Sequence, residues 1–458
     1  MTQATITAGD APAVHVTDVV DRSSFRGLPS VVSAFTVLTF VFDGFDLQSV
    51  AFVAPALLEQ WNVTRPAFSP VLAAGLIGMI LGSILLGPLG DRIGRRGAIV
   101  GSLSIVALAS LACAFADGPG ELSVYRLLMG LGIGGSIPSA TALMMEFAPV
   151  RARNMAVSIT VVGVPIGGVL GAEIAARLLP TFGWQAVFVV GALLPAALAV
   201  MMWLLMPESP RFLARRPARA AELASMLNRL AGTDRFRATD RFVAENATGT
   251  RDEGLSAVLA PTYRRNTLLL WIAYFTSLLC VYSFFNWLPT LLSDVGLPTT
   301  AAIRGALALN LGGVVGAVII ASAMTRYGSK PALLAFGLCA VAVTFALAGI
   351  ISAADASTPL VLVLSLMFVT GLAVLSVQVG LYAVAAYAYP TACRASGVGA
   401  ALGVGRLGGI VSSFAGAAAL AIGNGVIPFF TGISAVLAMT TLAMLLFNRH
   451  MPPARRPA

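Results

Sequence analysis

Charged side chains are scarce in this sequence. Of its 458 residues, 11% are Asp, Glu, Lys or Arg and 58% are hydrophobic, whereas soluble domains carry about 25% charged residues. An unpaired charge in the hydrocarbon of a bilayer costs kilocalories per mole, whereas even a large soluble protein needs a hydrated polar surface. The composition therefore predicts an integral membrane protein and argues against a soluble globular one.

Histidine and cysteine are also rare. The two histidines, His15 and His450, lie near the ends of the chain, so neither is expected to carry protons across a membrane. The four cysteines are scattered, with neither metal-ligand spacing nor a disulfide framework. No serine–histidine pair falls within the apolar stretches. We therefore expect no metal, no cofactor and no enzymatic activity.

Twelve apolar stretches are each long enough to cross a bilayer as a helix, which takes about 20 residues. The predicted spans are 30–58, 67–90, 98–116, 121–147, 154–179, 184–206, 266–292, 303–325, 331–353, 359–388, 396–420 and 425–447. The fold class expected is therefore an all-α membrane protein.

A polar, arginine-rich stretch, 207–265, separates a first six-helix bundle, 30–206, from a second, 266–447. It is expected to be a cytoplasmic linker with a short surface helix near residues 218–230. The ends of the chain, 1–29 and 448–458, are expected to be cytoplasmic tails. The first contains three aspartates and lacks a continuous apolar run, so a signal peptide is not expected.

The distribution of basic residues predicts the orientation. If the N-terminus is cytoplasmic, 24 of the 29 lysines and arginines fall on the cytoplasmic side and only Arg65, Arg177 and Arg304 fall in external loops. Cytoplasmic loops of membrane proteins are enriched in Lys and Arg. Both termini are therefore expected inside the cell, in the inner membrane. The net charge of +9 reflects this asymmetry rather than binding to nucleic acid.

The two halves resemble each other in sequence. At an offset of 234, Arg92, Gly94 and Arg96 match Arg326, Gly328 and Lys330. At an offset of 241, the matching residues are Pro149, Arg153, Gly167 and Gly168 with Pro390, Arg394, Gly408 and Gly409. Parallel repeats of this kind are typical of transporters that bind their substrate between two halves.

These loops resemble those of the major facilitator superfamily over nearly the whole chain. The relevant segments are Gly87–Arg96, Glu146–Arg153 and Pro207–Arg211. Three further segments resemble the aromatic acid/proton symporters of that superfamily: Asp43–Asp46, Asn286–Pro289 and Gly405–Gly409. The resemblance implies two pseudo-symmetric bundles and import of benzoate-like or hydroxybenzoate-like acids. Another solute remains an alternative, such as a sugar, a dicarboxylate or an exported drug. A receptor or sensor is disfavoured because the central stretch contains no output domain.

Asp43 and Asp46 are the best candidates for carrying protons. They lie near the middle of span 1 and, three residues apart, share a helix face. Acids at mid-membrane usually face a cavity or a partner. Arg126 in span 4 resembles an arginine implicated in proton coupling in the superfamily. The alternatives are a static ion pair of the acids with Arg126 or Arg406 and, for Arg126, a cap at the external mouth.

Arg406 is the candidate anchor for a substrate carboxylate. It lies near the middle of span 11, and its planar guanidinium suits bidentate binding of a carboxylate. The alternative is an ion pair with Asp43 or Asp46. An aromatic ring also requires aromatic walls and a few polar groups, and each candidate for these has helix packing as its alternative. The candidates are Gln48, Tyr274, Tyr282, Phe285, Asn286, Trp287, Gln378 and Tyr382.

The loops on the predicted cytoplasmic side contain candidate gating residues. Charge pairs there are expected to hold the two bundles together in the outward-open state; the alternative role is to fix topology. The residues are Gly87, Asp91, Arg92, Gly94, Arg95, Arg96, Glu146 and Arg153. In the second repeat Thr325 replaces the acid, which disfavours a matching latch. The expected partners of the protein are a small aromatic carboxylate, protons and the bilayer, with no nucleic acid and with a monomeric carrier.

Overall fold

The computed structural model describes residues 13–243, 254–353, 358–390, 393–423 and 425–453. Within these ranges, twelve helices are long and apolar enough to cross a membrane, which confirms the predicted number of spans. Numbered as spans 1 to 12, they are Leu28–Gln60, Arg65–Leu85, Arg95–Cys113, Pro119–Phe147, Val150–Phe182, Gln185–Leu205, Pro261–Asp294, Thr299–Tyr327, Ser329–Ser352, Leu360–Ala388, Arg394–Leu420 and Val426–Leu446.

Span 2 is shorter than the sequence predicted. It ends at Leu85, and a separate short helix, Leu89–Ile93, follows. The apolar run continues through this point, but Pro88 has no N–H to continue a helix. Gly94 then adopts a φ of 101° before span 3 begins. A glycine is needed there because other residues rarely adopt this conformation.

The stretches before span 1 and after span 6 form short helices and strands. The strand Val14–His15 pairs in parallel with Phe242–Val243, and it leads into the helix Val16–Arg22. This helix packs against Ala220–Ala231, the surface helix that the sequence predicted near residues 218–230. The remaining short elements are the helices Pro210–Ala214 and Gly254–Val258 and the 3-10 turn Pro217–Arg219. The described part of the expected tail and the linker up to Val243 therefore form a layer against the first bundle, whereas the helix Gly254–Val258 packs against spans 7 and 11 of the second.

Glycines bring paired helices into backbone contact, and they do so identically in both bundles. A Cβ at Gly167 in span 5 would lie 1.9 Å from the carbonyl oxygen of Val41 in span 1. A Cβ at Gly408 in span 11 would lie 2.1 Å from the carbonyl oxygen of Phe275 in span 7. These two contacts match at the sequence offsets of 241 and 234. The repeat seen in the sequence is therefore present in the packing.

Substitution of Gly167 is expected to destabilise the first bundle. The Gly167→Ala methyl group must displace the backbone of span 1, and such overpacking typically costs about 1–3 kcal/mol. Gly349→Ala in span 9 is the matched control, because a Cβ there meets nothing within 4 Å. The thermal midpoint of the detergent-solubilised protein should be lower for Gly167→Ala than for Gly349→Ala. Equal midpoints would contradict the close contact.

The two bundles meet through three pairs of spans. Span 1 packs against span 7, span 2 against span 11, and span 5 against span 8. Residues on these helices that face the other bundle therefore change their surroundings when the bundles move. The candidate site is built mainly on spans 1, 2, 4, 7, 10 and 11.

Candidate functional site

The predicted proton-coupling residues lie together and are buried. Asp43, Asp46 and Arg126 expose 3%, 0% and 2% of their surface. Arg126 Nη1 donates to the main-chain oxygen of Asp46 at 2.7 Å, and Nη2 donates to that of Leu47 at 3.3 Å. The arginine is thus held by the backbone of span 1. The carboxylate of Asp46 is left without a hydrogen-bond donor among the described residues.

Asp43 and Asp46 have different surroundings. Asp43 Oδ2 accepts a hydrogen bond from Ser136 of span 4 at 3.0 Å. Asp46 points toward spans 3 and 6, since a Cβ at Gly191 would lie 2.9 Å from Asp46 Oδ1 and 2.8 Å from Ser110 Oγ. Both acids therefore face the interior of the first bundle. A buried charge is costly unless it is balanced, and here Arg126 or a bound proton can supply the balance.

Arg406 lies in the second bundle and reaches across to the first. Its Nη1 donates to Ser83 Oγ of span 2 at 2.8 Å. The alternative ion pair with Asp43 or Asp46 is not formed: Arg406 is in none of the ion pairs found among the described residues. The guanidinium at mid-membrane therefore has a neutral hydroxyl as its partner.

Four of the predicted aromatic residues lie beside the stretch of span 11 that carries Arg406 or pack against one another there. A Cβ at Gly409 would lie 2.6 Å from the Tyr282 ring, and one at Gly405 would lie 3.2 Å from the Tyr274 carbonyl oxygen. Tyr382 packs edge-on against Tyr274, with ring centroids 5.8 Å apart, and Tyr282 packs edge-on against Phe285 at 6.1 Å. The four rings come from spans 7 and 10. A cation beside aromatic rings can bind an anion that carries a ring of its own.

Other predicted substrate contacts are bound to the protein. Asn286 Nδ2 lies 3.4 and 3.3 Å from the hydroxyls of Ser412 and Ser413, and the indole N–H of Trp287 donates to the Ser413 carbonyl oxygen at 3.2 Å. These two side chains join span 7 to span 11 within the second bundle. Their alternative interpretation, helix packing, describes their position in this structure.

Gln48 forms a contact between the bundles. Its amide exchanges two hydrogen bonds with Asn310 of span 8, at 2.9 and 3.3 Å. Both side chains are buried. Asn310 and Ser83 were not identified from the sequence, because a single polar residue in an apolar span does not indicate its partner 262 or 323 positions away.

An ion pair closes the bundles at the predicted external end. Arg65 Nη2 lies 2.6 Å from Asp294 Oδ2, and Arg65 Nη1 donates to the Leu420 carbonyl oxygen at 3.2 Å. The start of span 2 is thereby joined to the ends of spans 7 and 11. From the sequence, Arg65 was predicted only to lie in an external loop, and its ion pair with Asp294 was not predicted.

Loss of this ion pair is expected to favour opening at the same end. Both side chains are about one third exposed, and such pairs contribute about 0.2–1 kcal/mol, so Asp294→Asn should raise the open population by at most about 5-fold. Spin labels at the exposed positions Glu59 and Pro298 would report the distance distribution. The charge-swapped protein, Arg65→Asp with Asp294→Arg, should restore the distance distribution of the wild type. Identical distributions in all three proteins would show that the pair has no gating role.

The predicted gating residues have partners within the first bundle. Arg95 Nη2 lies 2.6 Å from Asp91 Oδ1, and its Nε lies 3.7 Å from Glu146 Oε1. The Arg96 backbone N–H donates to Glu208 Oε1 at 3.1 Å, and Arg216 donates to the Arg92 carbonyl oxygen. These pairs join spans 2, 3 and 4 to the segment after span 6.

The expected latch between bundles is therefore not made by these described pairs. Glu208, which the sequence placed in a family motif without a role, caps the start of span 3 and leaves Gly94 no room for a Cβ, which would lie 2.2 Å from its Oε2. Gly87 is equally constrained, because its Cβ would lie 2.4 Å from the Ser83 carbonyl oxygen. The side chain of Arg153 lies outside the described residues.

A sequence model of the Major Facilitator Superfamily matches residues 36–413. The chain is 37% identical to a gallate transporter of Pseudomonas putida, over 98% of each chain, and 34% identical to the 4-hydroxybenzoate transporter PcaK of the same species, over 88% of this chain and 89% of that one. The structure of the xylose transporter XylE from E. coli, in a partially occluded inward-open conformation, superposes with a TM-score of 0.70 at 16% identity, covering 92% of this chain and 98% of that chain.

Proposed function

Because this chain belongs to the major facilitator superfamily, and the relatives named above are transporters and not enzymes, we propose that it imports an aromatic carboxylate together with protons by alternating access. The observation that carries the proposal is Arg406 of span 11, a guanidinium that has a neutral hydroxyl as its partner and forms no ion pair among the described residues, on a stretch of helix that packs against the Tyr282 ring. A substrate carboxylate would replace the Ser83 hydroxyl and form two charge-assisted hydrogen bonds.

The curated relatives support the chemical class of the substrate. Gallate and 4-hydroxybenzoate are both aromatic carboxylates, and the chain aligns with their transporters over most of its length. A sugar has no negative charge for Arg406, so the sugar alternative leaves that guanidinium unexplained. The ring would lie among Tyr274, Tyr282 and Tyr382.

Protons would bind in the first bundle while the acid binds mainly in the second. Asp46, near Arg126, is the group that we assign to proton binding, and Asp43 assists it through the same helix face. Each proton supplies about 1.4 kcal/mol per unit of pH difference. One proton with a monovalent acid is electrically neutral, and a second would add about 2.3 kcal/mol per 100 mV.

Rocking of the bundles would couple the two sites. The contacts Gln48–Asn310 and Arg406–Ser83 join the bundles along their length, the second of them near the end of span 2 at Leu85, and Arg65–Asp294 joins them at the predicted external end. We propose that both termini face the cytoplasm of a cell with this chain in its inner membrane, since the basic residues concentrate in the corresponding loops.

The test is uptake of radiolabelled 4-hydroxybenzoate into cells that express the chain, with benzoate, 3,4-dihydroxybenzoate and gentisate as competitors. Uptake that collapses with an uncoupler is the expected result, and the competition order ranks the acids. If the protein is present in the membrane and none of these acids is taken up, the aromatic-acid proposal is wrong. Sugars, dicarboxylates and efflux would then be tested next.

A further inference from the structure

Gln378 has unused hydrogen-bonding groups in the interior of the second bundle. It lies in span 10, exposes 6% of its surface, and has no hydrogen-bond partner for either its amide oxygen or its amide nitrogen among the described residues. The hydroxyl of Tyr382 approaches the amide, but not at hydrogen-bonding geometry. A buried polar group without a partner is destabilising, so natural proteins rarely keep one without a use.

A second buried hydroxyl without a partner lies close by. Tyr274 of span 7 is fully buried, and its hydroxyl has no hydrogen-bond partner in the described parts of the chain. Its ring packs edge-on against Tyr382, with centroids 5.8 Å apart. Two elements therefore present unpaired polar atoms around one tyrosine ring.

These groups are linked to the proposed carboxylate anchor through Tyr274. Gly405, the residue before Arg406, packs against the backbone of Tyr274, since a Cβ there would lie 3.2 Å from the Tyr274 carbonyl oxygen. The Tyr274 ring packs against Tyr382, and Gln378 precedes Tyr382 by four residues on the same helix, so the two share a face with their Cβ atoms about 5–6 Å apart. A cation, aromatic rings and an amide therefore lie on adjoining helices. An aromatic acid with a polar ring substituent offers one matching group to each of them.

We propose that Gln378, assisted by Tyr274, binds the ring hydroxyl groups of the substrate, so that this carrier selects hydroxylated aromatic acids over benzoate. The inference rests on the proposed function. A phenolic hydroxyl both donates and accepts a hydrogen bond, and a carboxamide offers one acceptor and two donors. Two adjacent hydroxyls can engage the amide oxygen and nitrogen together, with the Tyr274 hydroxyl available to a third.

Selectivity follows from the hydrogen bonds that an unsubstituted ring cannot form. The Gln378 amide is already buried and unpaired in the described structure, so benzoate leaves it unpaired, whereas a ring hydroxyl supplies the missing hydrogen bond; sites built to bind a hydroxyl discriminate against analogues that lack it. The apolar contacts and the carboxylate contact are the same for both ligands. The hydroxyl groups therefore decide the difference in affinity, and Gln378 is a specificity-determining residue.

The experiment measures binding to the purified full-length protein in detergent. Radiolabelled 3,4-dihydroxybenzoate is displaced by benzoate, 4-hydroxybenzoate and 3,4,5-trihydroxybenzoate, in the wild type and in Gln378→Leu. We expect Gln378→Leu to lose at least about 10-fold in affinity for the dihydroxy and trihydroxy acids, as for loss of one to two hydrogen bonds to a buried group. Its affinity for benzoate should stay the same or rise, which also shows that the variant is folded.

A control variant tests whether the effect is specific to Gln378. Ser376→Ala changes another buried polar residue of span 10, whose hydroxyl donates to its own helix at Leu372, and it should leave the order of affinities unchanged. A uniform loss for all four acids in Gln378→Leu, or no loss, would overturn the assignment of Gln378. If the wild type binds none of the acids, the proposed function itself fails.

Discussion

Arg406→Lys is expected to weaken binding of every aromatic acid by about 10- to 100-fold, whatever the ring substituents. Lysine keeps the charge but cannot form the planar, two-point contact with a carboxylate. Hydrogen bonds to charged groups contribute about 1.5–3 kcal/mol each, and each 1.4 kcal/mol changes a dissociation constant tenfold. Arg406→Ala should remove saturable uptake altogether. Equilibrium binding of radiolabelled 4-hydroxybenzoate measures the first effect, and initial uptake rates measure the second.

Arg304→Lys is the matched control for this experiment. Arg304 is an exposed arginine near the start of span 8, so the same chemical change there should leave binding unaltered. The anchor assignment would be wrong if Arg406→Lys bound the acids with wild-type affinity. Loss of folded protein is recognised separately by size-exclusion chromatography of the detergent-solubilised variants.

Asp46→Asn is expected to abolish accumulation of the acid against its gradient while exchange of internal for external acid continues. The amide has nearly the shape of the carboxyl group but cannot bind and release a proton. Uphill transport then loses the about 1.4 kcal/mol that each pH unit supplies per proton, and the internal concentration should rise only to the external one. Asp43→Asn should reduce accumulation as well, because Asp43 shares with Asp46 the buried face of span 1 near Arg126.

Glu59→Gln is the control for charge removal on span 1. Glu59 is exposed near the end of the same helix, and its replacement should leave accumulation intact. Steady-state uptake reports accumulation, and efflux into medium that contains unlabelled acid reports exchange. Full accumulation in both Asp43→Asn and Asp46→Asn would remove these residues from the proton pathway.

The separation of the two groups suggests how the proposed coupling of proton and acid would be achieved. Asp46 and Arg126 face the interior of the first bundle, whereas Arg406 and its tyrosines belong to the second. Direct exchange of an ion pair between Arg406 and the acids is not part of this arrangement. Coupling instead requires that movement between the bundles depend on the occupancy of both sites. The Arg406–Ser83 contact is well placed to sense the substrate, because a bound carboxylate would compete with it.

The sequence predicted the fold because bilayer-spanning helices leave a strong signal. Twenty apolar residues suffice to mark a span, and the glycines that repeat at fixed offsets, such as Gly167 and Gly408, mark the close helix contacts. The acids of span 1 and Arg126 were also identifiable, since charges at mid-membrane are costly and need partners. In the structure Arg126 donates to the main-chain oxygen of Asp46, and the role of both residues in proton coupling stays a prediction.

The remaining features depend on how each helix is rotated about its axis. Spans 1 and 7 are mostly apolar, so the sequence offers no amphipathic pattern that indicates which neighbour each face meets. Trp287 and Asn286 of span 7 were therefore candidate substrate contacts, whereas in the structure they contact span 11. For the same reason Gln48 of span 1 could not be paired with Asn310 from the sequence.

The gating role of the loop residues stays a prediction, because it concerns the outward-open state and here the bundles are joined at the predicted external end. Asp91, Arg95 and Glu146 have the charges expected of a latch, but charge alone does not determine which partner is chosen. In the structure, the segment after span 6 supplies Glu208 to the start of span 3. The charged loop residues thus have partners within the first bundle, although their charges alone predicted contacts between the two bundles.

The most direct test of proton-coupled symport is proton movement driven by the acid itself. The protein is reconstituted into liposomes that contain a trapped pH indicator. An ionophore makes the liposomes permeable to a counter-ion, so that no membrane potential builds up, and 4-hydroxybenzoate is then added outside. The account predicts internal acidification that exceeds that of protein-free liposomes and that is lost in Arg406→Ala and in Asp46→Asn. Entry of the labelled acid with no proton movement beyond the protein-free level would contradict it.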